Sequence, residues 1–399
     1  MEKMKLLTAL NDACSWISDV AQVKCPEQAR VGRGKLMRYA RWEGAIRGEY
    51  SAATRAWDFF CPVWHTGQAV KALVMASELL GDSILESAVR GADFILAAQV
   101  ASGKDKGLIL AFEDKSDQVN TSAILECLDG LFVLSAKTGE SKYRDAALKA
   151  LAWVAERAYV ENEGIFLDLY DPASGAFIPN AYGCAARPLL DDGVFLTGYR
   201  LAGNRRFRDI ALETAATLLR DENPPGNWIN YPPCSRRMGV IHPRHAYWWG
   251  YPMLAAFADT REQPFLDCFR RSVQWYRSAL RRDGGLFRGT AVDFKTDSFG
   301  HATSGVGGAA IMLTALYNLE KDPELLKDIE RALGFCCGVQ FTRPADPNLK
   351  GAILEKILPP DGTDNSPYYL RDLGTIFFVQ AAAFALSSGL LQDNNADRR

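Results

Sequence analysis

The sequence predicts an all-α fold: an (α/α)6 toroid, a closed ring of six inner and six outer helices with short β-strands in the loops at its mouth. Three observations carry this expectation. A helix–turn–helix layout recurs with a period of about 55–70 residues, longer than the repeats of open helical solenoids. The two helices of each pair differ in polarity, the first being apolar or small all round and the second amphipathic. The long connections between pairs hold most of the polar and aromatic residues that are neither core nor ordinary surface.

The elements follow in order. An opening helix, residues 3–20, has no partner before it. The first pair is 64–80 and 83–100 around the turn Gly81-Asp82, and the second is 120–137 and 142–157 around Thr138-Gly139-Glu140. The third is 190–201 and 205–220 around Ala202-Gly203-Asn204; the fourth is 245–259 and 264–281; the fifth is 301–319 and 323–340. A last helix, 371–386, pairs with the opening one and closes the ring, so residues 1–399 read as a single domain. Segments such as Gly307-Gly308-Ala309-Ala310-Ile311-Met312 are apolar on every side and belong inside. Lys327-Asp328-Ile329-Glu330-Arg331 carries charges at helical spacing and belongs on a wet outer face. Four connections hold a glycine and an apolar run: Gly107-Leu108-Ile109-Leu110, Gly164-Ile165-Phe166-Leu167, Gly285-Leu286-Phe287-Arg288 and Gly351-Ala352-Ile353-Leu354. Each reads as a brief strand at the end where the inner helices begin.

Composition bounds the function. Lys+Arg 46 against Asp+Glu 48 gives no electrostatic reason to expect a nucleic acid or an anionic membrane as partner. The apolar stretch 376–386 is far short of the roughly 20 residues that span a bilayer. The N-terminus turns polar too early for a secretory signal, and nine cysteines without framework spacing read as reduced thiols; both point to the cytoplasm. No C-x-x-C or H-E-x-x-H occurs, so no zinc and no other cofactor is expected.

Long loops on a rigid scaffold are where binding and chemistry sit. Here they gather Asp58, Trp64, His65, Asp114, Asp117, Asn120, Tyr182, Arg187, Asp191 and Asp192. Further along come His242, Arg244, His245, Tyr247, Trp248, Trp249, Asp297, His301, Asp361, Asp364, Tyr368, Arg371 and Asp372. Flat aromatics suit the apolar faces of sugar rings, and carboxylates and imidazoles supply the acid and base of glycosidic or sugar-carbon chemistry. Arg187, Arg244 and Arg371 can fork onto a carboxylate or sulfate and suggest an acidic sugar. Bland readings compete: Asp191 and Asp192 as helix caps, His65 and His301 as satisfied core groups, the aromatic run as packing.

The stretches Trp64-His65-Thr66-Gly67-Gln68-Ala69, Asp191-Asp192-Gly193-Val194-Phe195-Leu196 and Trp248-Trp249-Gly250-Tyr251-Pro252 resemble inner-helix starts of (α/α)6 carbohydrate enzymes. Those include unsaturated glucuronyl hydrolases, N-acylglucosamine 2-epimerases and toroidal polysaccharide lyases. The resemblance implies an enzyme acting on a sugar at the barrel mouth. The hydrolase pattern assigns the acid to Asp192 or Asp191; the epimerase pattern points to His245 and His301; the lyase pattern points to His245, Tyr247 and Arg244. The resulting expectation is a glycosidase for an acidic oligosaccharide or polysaccharide, of undefined oligomeric state. In it Asp192 is the general acid, Asp191 or Asp58 assists, and His65, Arg187, Arg244, Trp248, Trp249, His301, Tyr368 and Arg371 bind substrate. Lyase or epimerase chemistry on His245 with Tyr247 is the runner-up. A terpene-type cyclase and a non-catalytic glycan-binding toroid stay open.

Overall fold

A computed structural model describes residues 2–30, 39–112, 117–237, 239–296, 302–355 and 369–390. Among these the chain forms twelve α-helices. The outer ones are α1 (Lys3–Trp16), α3 (Leu85–Ala97), α5 (Ser141–Arg157), α7 (Arg205–Asp221), α9 (Gln263–Ala279) and α11 (Pro323–Gly338). The inner ones are α2 (Pro62–Leu80), α4 (Thr121–Thr138), α6 (Val194–Ala202), α8 (Met253–Thr260), α10 (Thr303–Glu320) and α12 (Leu373–Ser387). Consecutive helices pair as inner and outer. The ring closes because α12 packs against α10, α2 and α1 together. The expected toroid is the observed one.

Burial explains the two kinds of helix. In α10 every residue from Thr303 to Leu316 is buried, and α12 is buried almost throughout, so neither face can carry charge. The inner axes approach closely through small residues: a Cβ added at Gly307 would lie 2.8 Å from the backbone carbonyl of Phe377 on α12. Gly307→Val should therefore destabilise the ring by about 1–3 kcal/mol, read by chemical denaturation, because backbone cannot yield as a side chain can. The same change at Gly334, which has nothing within 4 Å, is the control.

A six-fold feature lies in the connections. Gly44, Gly107, Gly164, Gly226, Gly284 and Gly351 all have positive φ, and each sits against a backbone carbonyl of an outer helix, on α3, α5, α7, α9, α11 and α1 in turn. At Gly107 (φ 98°) an added Cβ would stand 2.7 Å from the Lys149 carbonyl. Only glycine combines that φ with that approach. The glycine-led runs expected to be strands are mostly this contact instead. Ile165–Leu167 is a strand, Ile109 and Ile353 make single bridges to Gln99 and Gln340, and the run at Gly285 leads into the short strand Thr290–Ala291.

Short antiparallel sheets do form at the mouth. Gly48–Ser51 pairs with both Ala56–Phe59 and Tyr369–Arg371, tying the loop before α2 to the loop before α12. Two inner helices depart from expectation. The third starts only at Val194, after a tight turn Asp191–Gly193, and the fourth is preceded by a π-turn over Ala246–Gly250. Both departures fall where the site residues lie.

Candidate active site at the ring mouth

A cavity of about 970 Å³ opens where the long connections gather. Its lining includes Phe60, Trp64, Asn120, Glu126, Asp168, Tyr182, Arg187, Asp191, His242, Arg244, Trp248, Trp249, Arg288 and Arg371. Asn120 ends the strand Val119–Asn120 and caps α4, its side chain accepting from the Ala123 N–H at 3.1 Å. That cap starts α4 so that Glu126, just over one turn in, reaches the cavity floor, where Ser122 Oγ donates to its Oε1 at 2.9 Å. Asp191 reaches the same floor from the tight turn before α6, with its Oδ2 buried and without a hydrogen-bond partner among the described residues.

These two carboxyls are electrostatically linked. Burial pushes Glu126 up to about 7; Arg244 opposes this and Asp192 adds to it. Burial also raises Asp191 well above the ordinary carboxylate range, with Glu126 adding to the rise and Arg187 opposing it. Two like charges out of water cannot both ionise readily, so the pair retains a proton where isolated carboxyls would not.

The basic residues divide by what already holds them. Arg187 directs Nε and Nη2 to Asp168 Oδ1 at 3.1 and 3.0 Å and Nη1 to the Pro232 carbonyl, and Asn180 donates to Asp168 Oδ2 at 2.6 Å. It is a structural ion pair in the cavity wall rather than a free anion receptor. Arg371 is held by Glu49 and lies over the Phe60 ring, 4.0 Å from its centre. Arg244 differs. Its guanidinium lies between the rings of Trp64 and Trp248, at 5.2 and 4.9 Å, and its buried Nε and Nη1 have no hydrogen-bond partner among the described residues. Burial lowers its pKa, and the nearby carboxylates Glu355 and Glu126 counter that.

Several expected site residues lie elsewhere. Asp192, expected as the acid, turns away from the mouth at φ 50° into a second cavity of about 350 Å³ inside the ring. There its carboxylate accepts from Lys71 Nζ and Gln68 Nε2, both at 2.8 Å, and Tyr247 donates to it from 3.4 Å. Tyr247 thus belongs to that cavity too. His245 is fully buried behind the wall, 3.0 Å from Cys234 Sγ and packed on Trp249; burial, with Arg187 adding, lowers it to about 3. His65, also fully buried, stands 2.6 Å from Asp372 and lines no mouth surface. Asp58 is buried on the strand Ala56–Phe59, opposite Glu49, and is not part of the cavity lining. His301, Tyr368, Asp114, Asp297, Asp361 and Asp364 lie outside the described residues.

The remaining imidazole at the mouth is His242, stacked on Trp248 with ring centres 5.2 Å apart. Its Nδ1 accepts from the Arg244 backbone N–H at 3.3 Å, which places the proton of the neutral ring on Nε2. Burial, with Arg244 next, lowers its pKa well below the ordinary value, so it is neutral at pH 7. Sequence reasoning passed over Glu126, Asp168 and Arg288. The signal for Glu126 was present: it and Asp129 are the only carboxylates in an otherwise apolar or small inner helix. Among the described residues no group of three or more His, Cys, Asp or Glu is placed to hold a metal ion.

No family model matches this chain, and no curated protein matches it by sequence. Solved structures do match over nearly full length. An unsaturated glucuronyl hydrolase specific for heparin superposes with a TM-score of 0.68 at 15% identity, covering 98% of this chain and 100% of that one. A cellobiose 2-epimerase from Bacillus thermoamylovorans gives 0.67 at 12% identity, over 94% and 99% of the two chains. A D-mannose isomerase gives 0.65 at 13% identity, over 96% and 97%. At these identities the likeness is one of fold, and its members divide between hydrolysis and isomerisation.

Proposed function

We propose that this chain is a carbohydrate-active hydrolase that cleaves a glycosidic bond of an acidic, uronate-type oligosaccharide bound in the mouth. The observation that carries the reading is the placing of two proton-retaining carboxyls, Glu126 and Asp191, on one tryptophan-lined cavity with a buried guanidinium, Arg244, whose Nε and Nη1 have no hydrogen-bond partner among the described residues. The solved structures of like fold act on sugars by name, which agrees with it.

In this reading Asp191 is the general acid. Its proton passes to the glycosidic oxygen as the bond to the anomeric carbon breaks. Glu126, drawn toward ionisation by Arg244 and Ser122, takes the proton of the attacking water. Trp64 and Trp248 hold the Arg244 guanidinium between them, and its Nε and Nη1 groups receive the uronate carboxylate. The epimerase expectation places its base on an imidazole. His245 is behind the wall, and the Nε2 of His242 carries a proton, so the described histidines lend that expectation no base.

The test uses uronate-containing disaccharides and their neutral analogues, with products followed by proton NMR. A new reducing end is expected, and an epimerised but intact disaccharide would refute hydrolysis. Arg244→Met, which keeps the stacking volume, should raise KM for the acidic substrate about 10- to 100-fold, the worth of a hydrogen bond to a charged group. The neutral analogue should change much less, and equal losses on both would remove the case for an acidic substrate.

A further inference from the structure

Asp191 and Asp192 are neighbours in sequence but face opposite cavities. Asp192 (φ 50°) and Gly193 (φ 63°) are both left-handed, and the two carboxyls line different cavities. Asp191 lines the mouth cavity, and Asp192 the 350 Å³ cavity lined also by Lys71, Asp129, Tyr247, Tyr251 and Gln380, among others.

In that second cavity Asp192 is held by three donors, Lys71, Gln68 and Tyr247. The Gln68 Nε2 that donates to Asp192 also donates to the Glu126 carbonyl at 2.7 Å. Gln68 is itself fixed by Gln380, whose Nε2 donates to Gln68 Oε1 at 3.0 Å and to its carbonyl at 3.1 Å. One amide therefore ties Asp192 to the turn of α4 that carries Glu126. Lys71 does not cancel Asp192, because its ammonium is shared: Asp129 takes it at the same 2.8 Å. Two carboxylates share that one buried ammonium, and the other cation of the cavity lining, Arg200, is exposed to solvent, so the Asp192 charge is only partly balanced where screening is weak.

We propose that Asp192 is a positioning residue for the mouth chemistry: its carboxylate, held behind the mouth by Lys71 and Gln68, adds to the burial that makes the Glu126–Asp191 pair retain a proton. The proposal rests on the hydrolytic reading above. A like charge nearby favours the protonated form of a carboxyl. The groups facing the pair are Arg187 from the strand Ala186–Arg187, Arg244 from the loop before the π-turn, Ser122 on α4, and Asp192 itself. Lys71 on α2, Asp129 on α4, Arg200 on α6, and Tyr247 and Tyr251 line the cavity that Asp192 enters. The two arginines draw the pair toward ionisation, and Asp192 is the fixed negative charge set against them. The expectation that made Asp192 the acid thus assigned chemistry to a residue that acts through its neighbours.

The experiment titrates the carboxyl carbons of the full-length protein by NMR after ¹³C labelling of Asp and Glu, and needs no substrate. In Asp192→Asn the Glu126 and Asp191 midpoints should move to lower pH. Asn tolerates the left-handed backbone, and the change leaves Lys71 and Asp129 as a one-to-one pair, so the fold should persist. Asp192→Gly suits the same φ and reports the same shift if the Asn variant folds poorly. Asp129→Asn leaves Asp192 in place but frees Lys71 to pair with it alone, and should move both midpoints the same way by a smaller amount. Where turnover can be measured, the alkaline limb of the pH–rate profile should move to lower pH in Asp192→Asn, and less in Asp129→Asn. Unmoved midpoints in Asp192→Asn, or a shift in Asp129→Asn as large as or larger than that in Asp192→Asn, would overturn the proposal. Ordinary carboxyl midpoints for both residues in the unaltered protein would instead sink the hydrolytic reading on which it stands.

Discussion

Replacing Asp191 by Asn is expected to lower turnover about 10²–10⁴-fold with substrate affinity nearly kept, because the amide fills the same space but has no proton to give. Glu126→Gln should cost a similar factor by removing the acceptor for the proton of water. The pH profile follows from the directions of the two shifts. Glu126 must be ionised, so activity falls as pH drops below about 7. Asp191 must be protonated, so activity falls as pH rises through its raised value. Stability runs against activity here. A carboxyl whose folded pKa lies near 7, above its unfolded value, holds a proton that the unfolded chain releases between the two. The group therefore costs folded stability as pH rises through that window. Glu126→Gln should then stabilise the protein by about 1–3 kcal/mol at neutral pH and by almost nothing near pH 4. Denaturant melts at the two pH values, beside a rate assay, check both halves. A variant that loses activity and stability together would mean that Glu126 is merely structural.

Asp168→Ala should be the most damaging change to the fold among the mouth residues, at about 3–5 kcal/mol. Asp168 is fully buried, and it takes both Arg187 N–H groups and the Asn180 amide. Its backbone carbonyl also receives the Thr121 N–H at the start of α4. Removing the carboxylate takes the shared acceptor away from the Nε and Nη2 groups of Arg187 in a buried wall, which costs far more than the pair itself contributes. Asp168→Asn keeps an acceptor for Arg187 and should lose less. Equal losses for Ala and Asn in denaturant titrations would show that charge pairing is not the cause.

Glu126 shows why the site was only partly legible in the sequence. Loops crowded with polar residues drew attention to the mouth, and Arg187, Arg244 and Arg371, the three arginines expected to bind an anion, do line the cavity, while Arg236 and Arg237 of the same loops do not. Glu126 was passed over because it sits inside a helix rather than before one, and a lone acid in an inner helix looks the same whether it faces a cavity or a lysine. Asp129, one turn further along the same helix, is such a lysine partner. His65 and His245 misled for the converse reason. An imidazole at an inner-helix start can point into the lumen or back into the wall, and in both residues it points into the wall.

What the sequence determined by itself is the ring. Helix polarity and repeat length are local properties that recur around the ring, with a glycine-led run in four of the connections, and repetition makes each weak signal additive. Helices apolar on all sides have nowhere to go except inside a shell of amphipathic ones. Which side chains meet at the mouth was decided only by tertiary structure. The left-handed turn at Asp192 sends two adjacent aspartates into different cavities. A helical reading of the same residues would have turned them only about 100° apart. Contacts such as Arg187 with Asp168, or Gln68 with both Glu126 and Asp192, join residues far apart in the chain. Their energies depend on burial and on what else occupies the space, and neither is written in the order of the residues.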